Sequence, residues 1–288
     1  MKAYLVTNSF LRSPKFVEIY EILSANARKF NIDLIAKTTT DLMSEIHSVQ
    51  NTIEAPDFVL YWDKDIMLAR QLEMAGIKLF NSAKAIECCD NKEFTSLALL
   101  QAGIKQPRTI FAPKTFENIG YTNVDFYYKA KEILGLPMVI KEAYGSFGWQ
   151  VYLANTDDEA IEIINKVHNK DFLMQELVKS SYGKDIRINV VGDKVISAML
   201  RYNPNDFRSN ISNGGSMKAY SPSKEQCELA IMAAHAVGAD FAGVDVLFGE
   251  NNEPIICEVN SNPHFKSSID CTGIDVAYHI FEYITGLL

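Results

Sequence analysis

The sequence predicts a mixed α/β protein in which a small parallel α/β unit precedes an α+β body of two lobes. Three observations predict it. Short apolar runs alternate with amphipathic stretches over the first 85 or so residues, the pattern of strands laid down between helices. Beyond Pro107 the strand-like runs come in neighbouring pairs with helical stretches between them. A polar interruption, Lys-Ser-Ser-Tyr-Gly within Val178 to Gly183, separates two groups of these runs. The expected division is therefore 1–85, 86–178 and 179–288.

The elements follow in order. Ala3 to Val6, Ile32 to Ala36, Phe58 to Tyr61 and Ile77 to Phe80 read as strands, with helices over Lys15 to Phe30 and Ile66 to Ala75. Pro14 suits the first helical position and Gly76 a C-terminal cap. Nothing chemical stands out in this unit, and no GxGxxG follows the first strand. Asn81 to Lys84 open a second helical region, and Asp90 is the expected N-cap of an amphipathic run from Lys92 to Ala102, closed by Gly103. Strands are then expected over Val139 to Lys141, Val151 to Ala154, Phe172 to Leu177, Ile186 to Val191, Lys194 to Arg201, Phe241 to Phe248 and Pro254 to Asn260. Helices are expected at about 123–134, 157–167, 223–237 and 274–286.

Composition narrows the function classes. The 288 residues carry 28 Lys and Arg against 36 Asp and Glu, a formal charge of −8, which argues against a broad nucleic-acid face. The five cysteines, Cys88, Cys89, Cys227, Cys257 and Cys271, have no CxxC spacing and read as free thiols of a reducing compartment. The apolar run after Lys2 is too short for a signal segment, and no stretch reaches about 18 apolar residues. A soluble cytoplasmic protein without membrane contact is the expectation. The five histidines, 47, 168, 235, 264 and 279, lack HExxH spacing, and there is no GxSxG elbow.

Four features carry chemistry. Gly243 to Phe248 and Pro254 to Asn260 are joined by a good hairpin turn, with Val244, Val246 and Phe248 expected to share a face with Ile255, Cys257 and Val259. The other face carries Asp245, Glu258 and Asn260. Carboxylates on neighbouring apolar strands resist desolvation unless something positive sits between them. A hard cation with oxygen ligands would serve, and a bridging carboxylate can hold two Mg²⁺ against phosphate; a solvated strand face is the alternative. Lys141 ends a strand just before Gly145-Ser-Phe-Gly148, so glycine N–H groups and a lysine charge can meet phosphate oxygens, although a surface Lys beside a tight turn looks the same. Gln175-Glu-Leu-Val178 leaves a strand at the lobe boundary with backbone groups suited to an adenine edge. Asp185 could take ribose hydroxyls or form an ion pair near Arg187. Arg201, then Asp206-Phe-Arg-Ser-Asn210 and Asn213-Gly-Gly-Ser216, offer guanidinium groups for carboxylate or phosphoryl oxygens, or an ordinary connection.

The order of these parts is rarer than any one of them. Asp90-Asn-Lys92, Ile140-Lys141 with its glycines, Gln175-Glu-Leu-Val, Gly183-Lys-Asp-Ile-Arg, Asp206-Phe-Arg-Ser-Asn, Ala242-Gly-Val-Asp245 and Glu258-Val-Asn260 together resemble the ATP-grasp superfamily, and within it the RimK-type, α-L-glutamate ligase-like carboxylate-amine ligases. The resemblance covers about residues 81–280. It implies an ATP-grasp body behind a small α/β domain and an ADP-forming ligase that makes an amide through an acyl phosphate. It also implies ATP, a carboxylate and an amine (amino acid or peptide) as partners, two Mg²⁺ replaceable by Mn²⁺, and room for a homo-oligomer. Lys92 and Lys141 would contact ATP phosphates, with Gly145, Ser146 and Gly148 covering them. Glu176, Leu177 and Val178 would hold adenine, and Asp185 would lie by the ribose. Arg208 and Asn210 would reach phosphate and metal-side oxygens. Asp245, Glu258 and Asn260 would ligate the metals, and Arg201 would steady the carboxylate. An ATP-binding module of the same fold without turnover is the competing class. Two departures are visible: Gly148-Trp-Gln-Val151 replaces the Gly-x-Gly-Val of the glutamate ligases. Ser261-Asn-Pro-His-Phe-Lys266 replaces small residues and a glutamate, so His264 and Lys266 are expected to select a substrate with a negative group.

Overall fold

Ala3, Tyr4, Leu5 and Val6 are all buried, and their alternation explains the unbroken apolar run: Ala3 and Leu5 enter one core while Tyr4 and Val6 enter another. A computed structural model describes residues 1–11, 13–46, 55–211 and 214–288; His47 and Asn213, named above, lie outside the described residues. The first unit is a parallel sheet in the order β2-β1-β3-β4, with β1 Lys2–Thr7, β2 Asp33–Thr38, β3 Phe58–Trp62 and β4 Leu79–Phe80. Helix α1, Pro14–Lys29, covers one face through Ile19 and Leu23, and α2, Ile66–Met74, covers the other through Leu68 and Leu72. Pro14 is the first helical residue, as its fixed φ favours. Gly76 closes α2 at φ +82°, as expected of a left-handed cap.

Helices α3, Ala83–Asp90, and α4, Lys92–Gln101, meet at Asn91. Here the expected cap moves by one residue. Asn91, not Asp90, caps α4, its side-chain oxygen accepting from the N–H groups of Glu93 and Phe94, whereas Asp90 ends α3. The short carboxamide reaches two orphan donors at once. Gly103, at φ +69°, ends the region as expected.

Two antiparallel sheets follow. The first runs β5-β8-β6-β7, with β5 Thr109–Phe111, β6 Met138–Glu142, β7 Val151–Ala154 and β8 Phe172–Glu176. Met138, Ile140, Phe172 and Met174 face a core closed by α5, Asp125–Leu134, and α6, Asp157–Val167. The second runs β11-β10-β9-β12-β13, with β9 Lys184–Val191, β10 Lys194–Tyr202, β11 Ser216–Ala219, β12 Phe241–Phe248 and β13 Pro254–Asn260. Its apolar face packs on α7, Lys224–Ala236, and on α3 and α4 through Ala85, Cys89 and Leu99. The remaining helices, α8 Lys266–Thr272 and α9 Val276–Leu287, return toward the first unit, where Ile280, Phe281 and Ile284 join the core of α1. The sequence pattern missed β11 and α8, which are short and mostly polar. Among the described residues no helix is long and apolar enough to cross a membrane, and the five cysteines are free.

The pairing of β12 with β13 corrects one expected face. A register shift falls between Asp245 and Val246, which pair with Glu258 and Ile256 respectively. Cys257 is thus the extra residue of a bulge, and a bulge reverses the side-chain alternation beyond it. Ile256 and Val259 enter the core with Val244, Val246 and Phe248, while Cys257 turns to the opposite side with Asp245 and Glu258.

Candidate active site

The site lies between the uncovered faces of the two antiparallel sheets. Period two puts Val139, Lys141, Leu173 and Gln175 of one sheet opposite Asp185, Arg201, Asp245 and Leu247 of the other, lining a single cavity. All the residues expected to bind nucleotide line it: Lys92, Lys141, Gly145, Ser146, Gly148, Glu176, Leu177, Val178, Asp185, Arg208 and Asn210, together with Arg201, Asp245 and Glu258. Asn260 faces an adjoining cavity, which shares Gly145, Ser146, Phe147, Arg201, Asn210 and Glu258 with the first.

Three buried charges, Asp185, Arg201 and Asp245, form the floor, joined by the partly buried Arg187. Arg201 donates to both carboxylate oxygens of Asp185 at 2.7 and 2.6 Å and reaches Asp245 at 3.0 Å. Arg187 grips Asp245 with two nitrogens, Nη2 at 2.8 Å. Burial alone would raise the Asp245 carboxyl; the two guanidiniums overcome it and hold it below the usual carboxylate range. Burial likewise opposes the charge of Arg201, and Asp185 and Asp245 more than restore it. The positive charge facing Asp245 is thus supplied by arginines, which the strand-face argument did not foresee; Arg187 was the missed residue. Its neighbour is fitted to it, since a Cβ on Gly243 would stand 2.8 Å from Pro263 and 3.1 Å from the Arg187 side chain.

Glu258 is different. Facing Asp245 across the hairpin, its carboxylate enters no ion pair or hydrogen bond among the described residues. Asn260 donates its amide to the Gly243 carbonyl at 3.2 Å, which leaves the amide oxygen as the end for a ligand. Among the described residues no three His, Cys, Asp or Glu side chains form a ready metal cluster. A carboxylate and a carboxamide oxygen, with Asp245 beside them, nevertheless fit Mg²⁺, which takes one or two carboxylates and completes its shell with water and phosphate.

Lys141 is buried, with Nζ 3.7 Å from Cys257 Sγ. Lys92, the first residue of α4, donates to the Gly145 carbonyl at 3.2 Å. Burial lowers the Lys92 ammonium, Glu258 opposes that, and Lys141 adds to it. The Gly145 to Gly148 loop folds over the cavity with Gly145 at φ +150°, Phe147 at +59° and Gly148 at +75°. Arg208 anchors it by donating to the Gly148 carbonyl at 2.8 Å, while its other nitrogens hold Asp206. Glu176 is bound by Arg108, through the backbone N–H at 2.9 Å and Nε at 2.7 Å. Leu177 and Val178 follow the end of β8, outside its ladder.

The first unit, which looked chemically silent, closes the adjoining cavity. Lys64 bonds the Ser146 hydroxyl at 3.2 Å and pairs with Asp90, Lys15 Nζ stands 3.7 Å over the Phe147 ring, and Asp63 lines the same space. Asp63 and Lys64 come directly after β3, and the carboxyl end of a parallel strand is where open α/β sheets bind ligands; that positional signal could have found them. The loop after Asn260 also differs from expectation. Lys266 begins α8 and pairs with Asp270 one turn on, outside the residues lining the cavity. His264 does line it, bonded to the Lys15 carbonyl at 2.9 Å, and burial lowers its ring toward the neutral form. Lys266 is thus absent from the cavity wall, whose cations include Lys15 and Arg187.

Residues 89–284 match the family described as the RimK-like ATP-grasp domain. The human protein named beta-citrylglutamate synthase B is 33% identical over 78% of this chain and 58% of its own length; the chain thus spans little more than half of that synthase. The protein of Hahella chejuensis named probable alpha-L-glutamate ligase 2 is 36% identical over 75% of this chain and 69% of its own. The crystal structure of D-alanine–D-alanine ligase from Bacillus anthracis complexed with ATP superposes at a TM-score of 0.74, with 19% identity, covering 99% of this chain and 96% of that one, and shows the same fold. With its cations, carboxylates and glycine loop gathered in one cavity, the chain belongs to the RimK-like ATP-grasp family and is an ATP-dependent carbon–nitrogen ligase.

Proposed function

We propose that the first cavity binds Mg-ATP and that the adjoining one brings a carboxylate and an amine together, the amine being an acidic amino acid such as L-glutamate. The observation that carries this reading is the convergence of Lys92, Lys141, Arg201 and the glycine loop on one cavity wall whose one unpaired carboxylate, Glu258, opens onto both spaces. A carboxylate oxygen of the acid bonds to the γ-phosphorus as the bridging bond to ADP breaks, ADP taking the electron pair. The amine nitrogen, once deprotonated, bonds to the acyl carbon, the carbon–oxygen bond breaks with its electron pair going to phosphate, and the nitrogen's remaining extra proton passes to that phosphate. Mg²⁺, for which Mn²⁺ can substitute, supplies neutralisation of the transferring phosphoryl charge when bound at Asp245, Glu258 and Asn260.

The chain's own groups do the rest. In this reading Lys141 and Lys92, both lining the cavity, take phosphate oxygens, and their preformed charges need no reorganisation as charge develops. Arg201 and Arg187, fixed by Asp185 and Asp245, present donors to the acid's carboxylate. In this reading the backbone of Leu177 and Val178 takes adenine, and Asp185, whose carboxylate holds Arg201, lies by the ribose. The glycine loop, held by Arg208, Lys92 and Lys64, keeps water from an acyl phosphate that water would hydrolyse. Five free thiols suit the cytoplasm, where this reading puts the enzyme.

Glu258→Gln tests it. The change keeps volume and removes the charge that faces both cavities, so ADP formation over a panel of acids and amines should fall by orders of magnitude with the fold retained. Turnover near that of the unmodified protein at equal Mg²⁺ would refute the assignment.

A further inference from the structure

Asp63 is a buried carboxylate in the adjoining cavity, and no Lys, Arg or His pairs with it among the described residues. One oxygen accepts from the N–H groups of Lys64 and Asp65 at 2.7 and 2.8 Å, and the Asn8 side chain also bonds to the group. Burial still pushes the carboxyl upward, because neutral donors do not offset the lost hydration of its charge. Asn262 gives a second, independent sign. Its amide nitrogen donates to the Asp63 carbonyl at 3.0 Å, which fixes the side chain, and its Oδ1 is then buried with no donor. Asp63 thus lacks a cationic partner and Asn262 Oδ1 lacks a donor at the edge of one ligand-sized space, a costly arrangement in an unliganded protein.

The rest of that cavity carries cations and aromatic rings together with the carboxylates of Asp90 and Glu258. Lys15 Nζ pairs with no carboxylate among the described residues, lies against the Phe147 ring, and is lowered by burial and by Arg187. Glu258 and Arg201 connect the space to the phosphate cavity, so a group bound here approaches the carbon at which the amide forms. A ligand complementary to both ends carries a cation with several N–H donors and an anion.

We propose that Asp63 and Asn262 Oδ1 hold the ammonium of the amine substrate and that Lys15 takes a carboxylate of the same molecule, so that this cavity selects an amino acid. The assignment rests on the ligase reading and specifies which residues, contributed by the first unit and the Ser261 to His264 loop, choose the amine.

The experiment is a calorimetric titration of the full chain, first with the non-hydrolysable ATP analogue AMPPNP and Mg²⁺, then with L-glutamate or with glutarate, which differs only by lacking the amine. The unmodified protein should prefer L-glutamate by at least about tenfold, the scale of one charge-assisted hydrogen bond. Asp63→Asn, which still accepts from the Lys64 and Asp65 N–H groups, should reduce that preference to within about twofold with unchanged AMPPNP affinity. Lys15→Met should weaken both ligands alike. Retention of the preference in Asp63→Asn, or its absence in the unmodified protein while AMPPNP binds, overturns the assignment and leaves the ligase reading standing. Failure of AMPPNP to bind at all overturns both.

Discussion

Asp63 illustrates how a single side chain can trade stability for binding. Its folded-state pKa is raised above the ordinary value of 3.8 by burial. The native state therefore holds its proton to higher pH than the unfolded chain does, and stability falls as pH rises through that interval. Above that interval the penalty is fully present. Asp63→Asn should thus melt at a higher temperature than the unmodified protein at pH 7, with the advantage shrinking as pH approaches the unfolded value. Equal melting temperatures at both pH values would mean that the Asn8 and backbone donors already compensate the charge. Lys141 makes a different contribution. Buried beside Cys257 with no carboxylate at ion-pair distance among the described residues, it is available to phosphate, and Lys141→Ala should weaken Mg-ATP binding by about 1.5 to 3 kcal/mol, the worth of one charge-assisted contact. Unchanged affinity by calorimetry would remove it from the site.

Among the elements, α4 and the β12–β13 hairpin place the most chemistry with the fewest residues. The Asn91 cap sets where α4 begins and so where Lys92, its first residue, leaves the helix toward Gly145. Because the Asn91 carboxamide is buried and satisfies two N–H groups, Asn91→Ala should cost about 1 kcal/mol, within the range of 0.5 to 2 for such caps. Urea denaturation reads that loss, and a parallel rise in the ATP concentration needed for turnover would show that the cap positions Lys92. The hairpin works through its irregularity. A regular ladder would alternate Cys257 and Glu258 to opposite sides, but the bulge lets both face the cavity with Asp245 while Ile256 and Val259 fill the core.

On the scale of the whole molecule, the units are tied by buried contacts rather than by linkers alone. Asn81, fully buried after β4, donates to the carbonyls of Phe241 and Ser261 at 2.9 and 2.8 Å and accepts from the N–H groups of Asp240 and Phe241. One carboxamide thereby fixes the first unit against the start of β12 and the loop that follows the proposed metal ligands. Trp62 stacks on Phe241 at 5.5 Å beside it. Asn81→Ala should lower stability by several kcal/mol, at about 1 to 3 kcal/mol for each buried group left unsatisfied. It should also impair turnover more than ATP binding, because the cavity between the units loosens while the phosphate cavity does not. A denaturation midpoint within experimental error of the unmodified protein would contradict the tie.

What the sequence by itself determined is local and periodic. Strand alternation marked which residues of β12 leave the core, Pro14, Gly76 and Gly103 marked helix ends, and the order of short motifs marked the family. The nucleotide-binding residues implied by the family resemblance do line one cavity, and those on strands do so because period two is a property of the backbone and needs no knowledge of the partner strand. What only the tertiary structure decided is pairing over long separations. That Asp245 faces Arg187 and Arg201, that Cys257 is the bulged residue, and that Lys15, Asp63 and Lys64 of the first unit close a cavity with Asn262 and His264 depend on how three sheets pack. Asp63 and Asn262 lie 199 positions apart and meet by one hydrogen bond. Such contacts are fixed by the fit of buried surfaces, and neither composition nor local spacing carries that information.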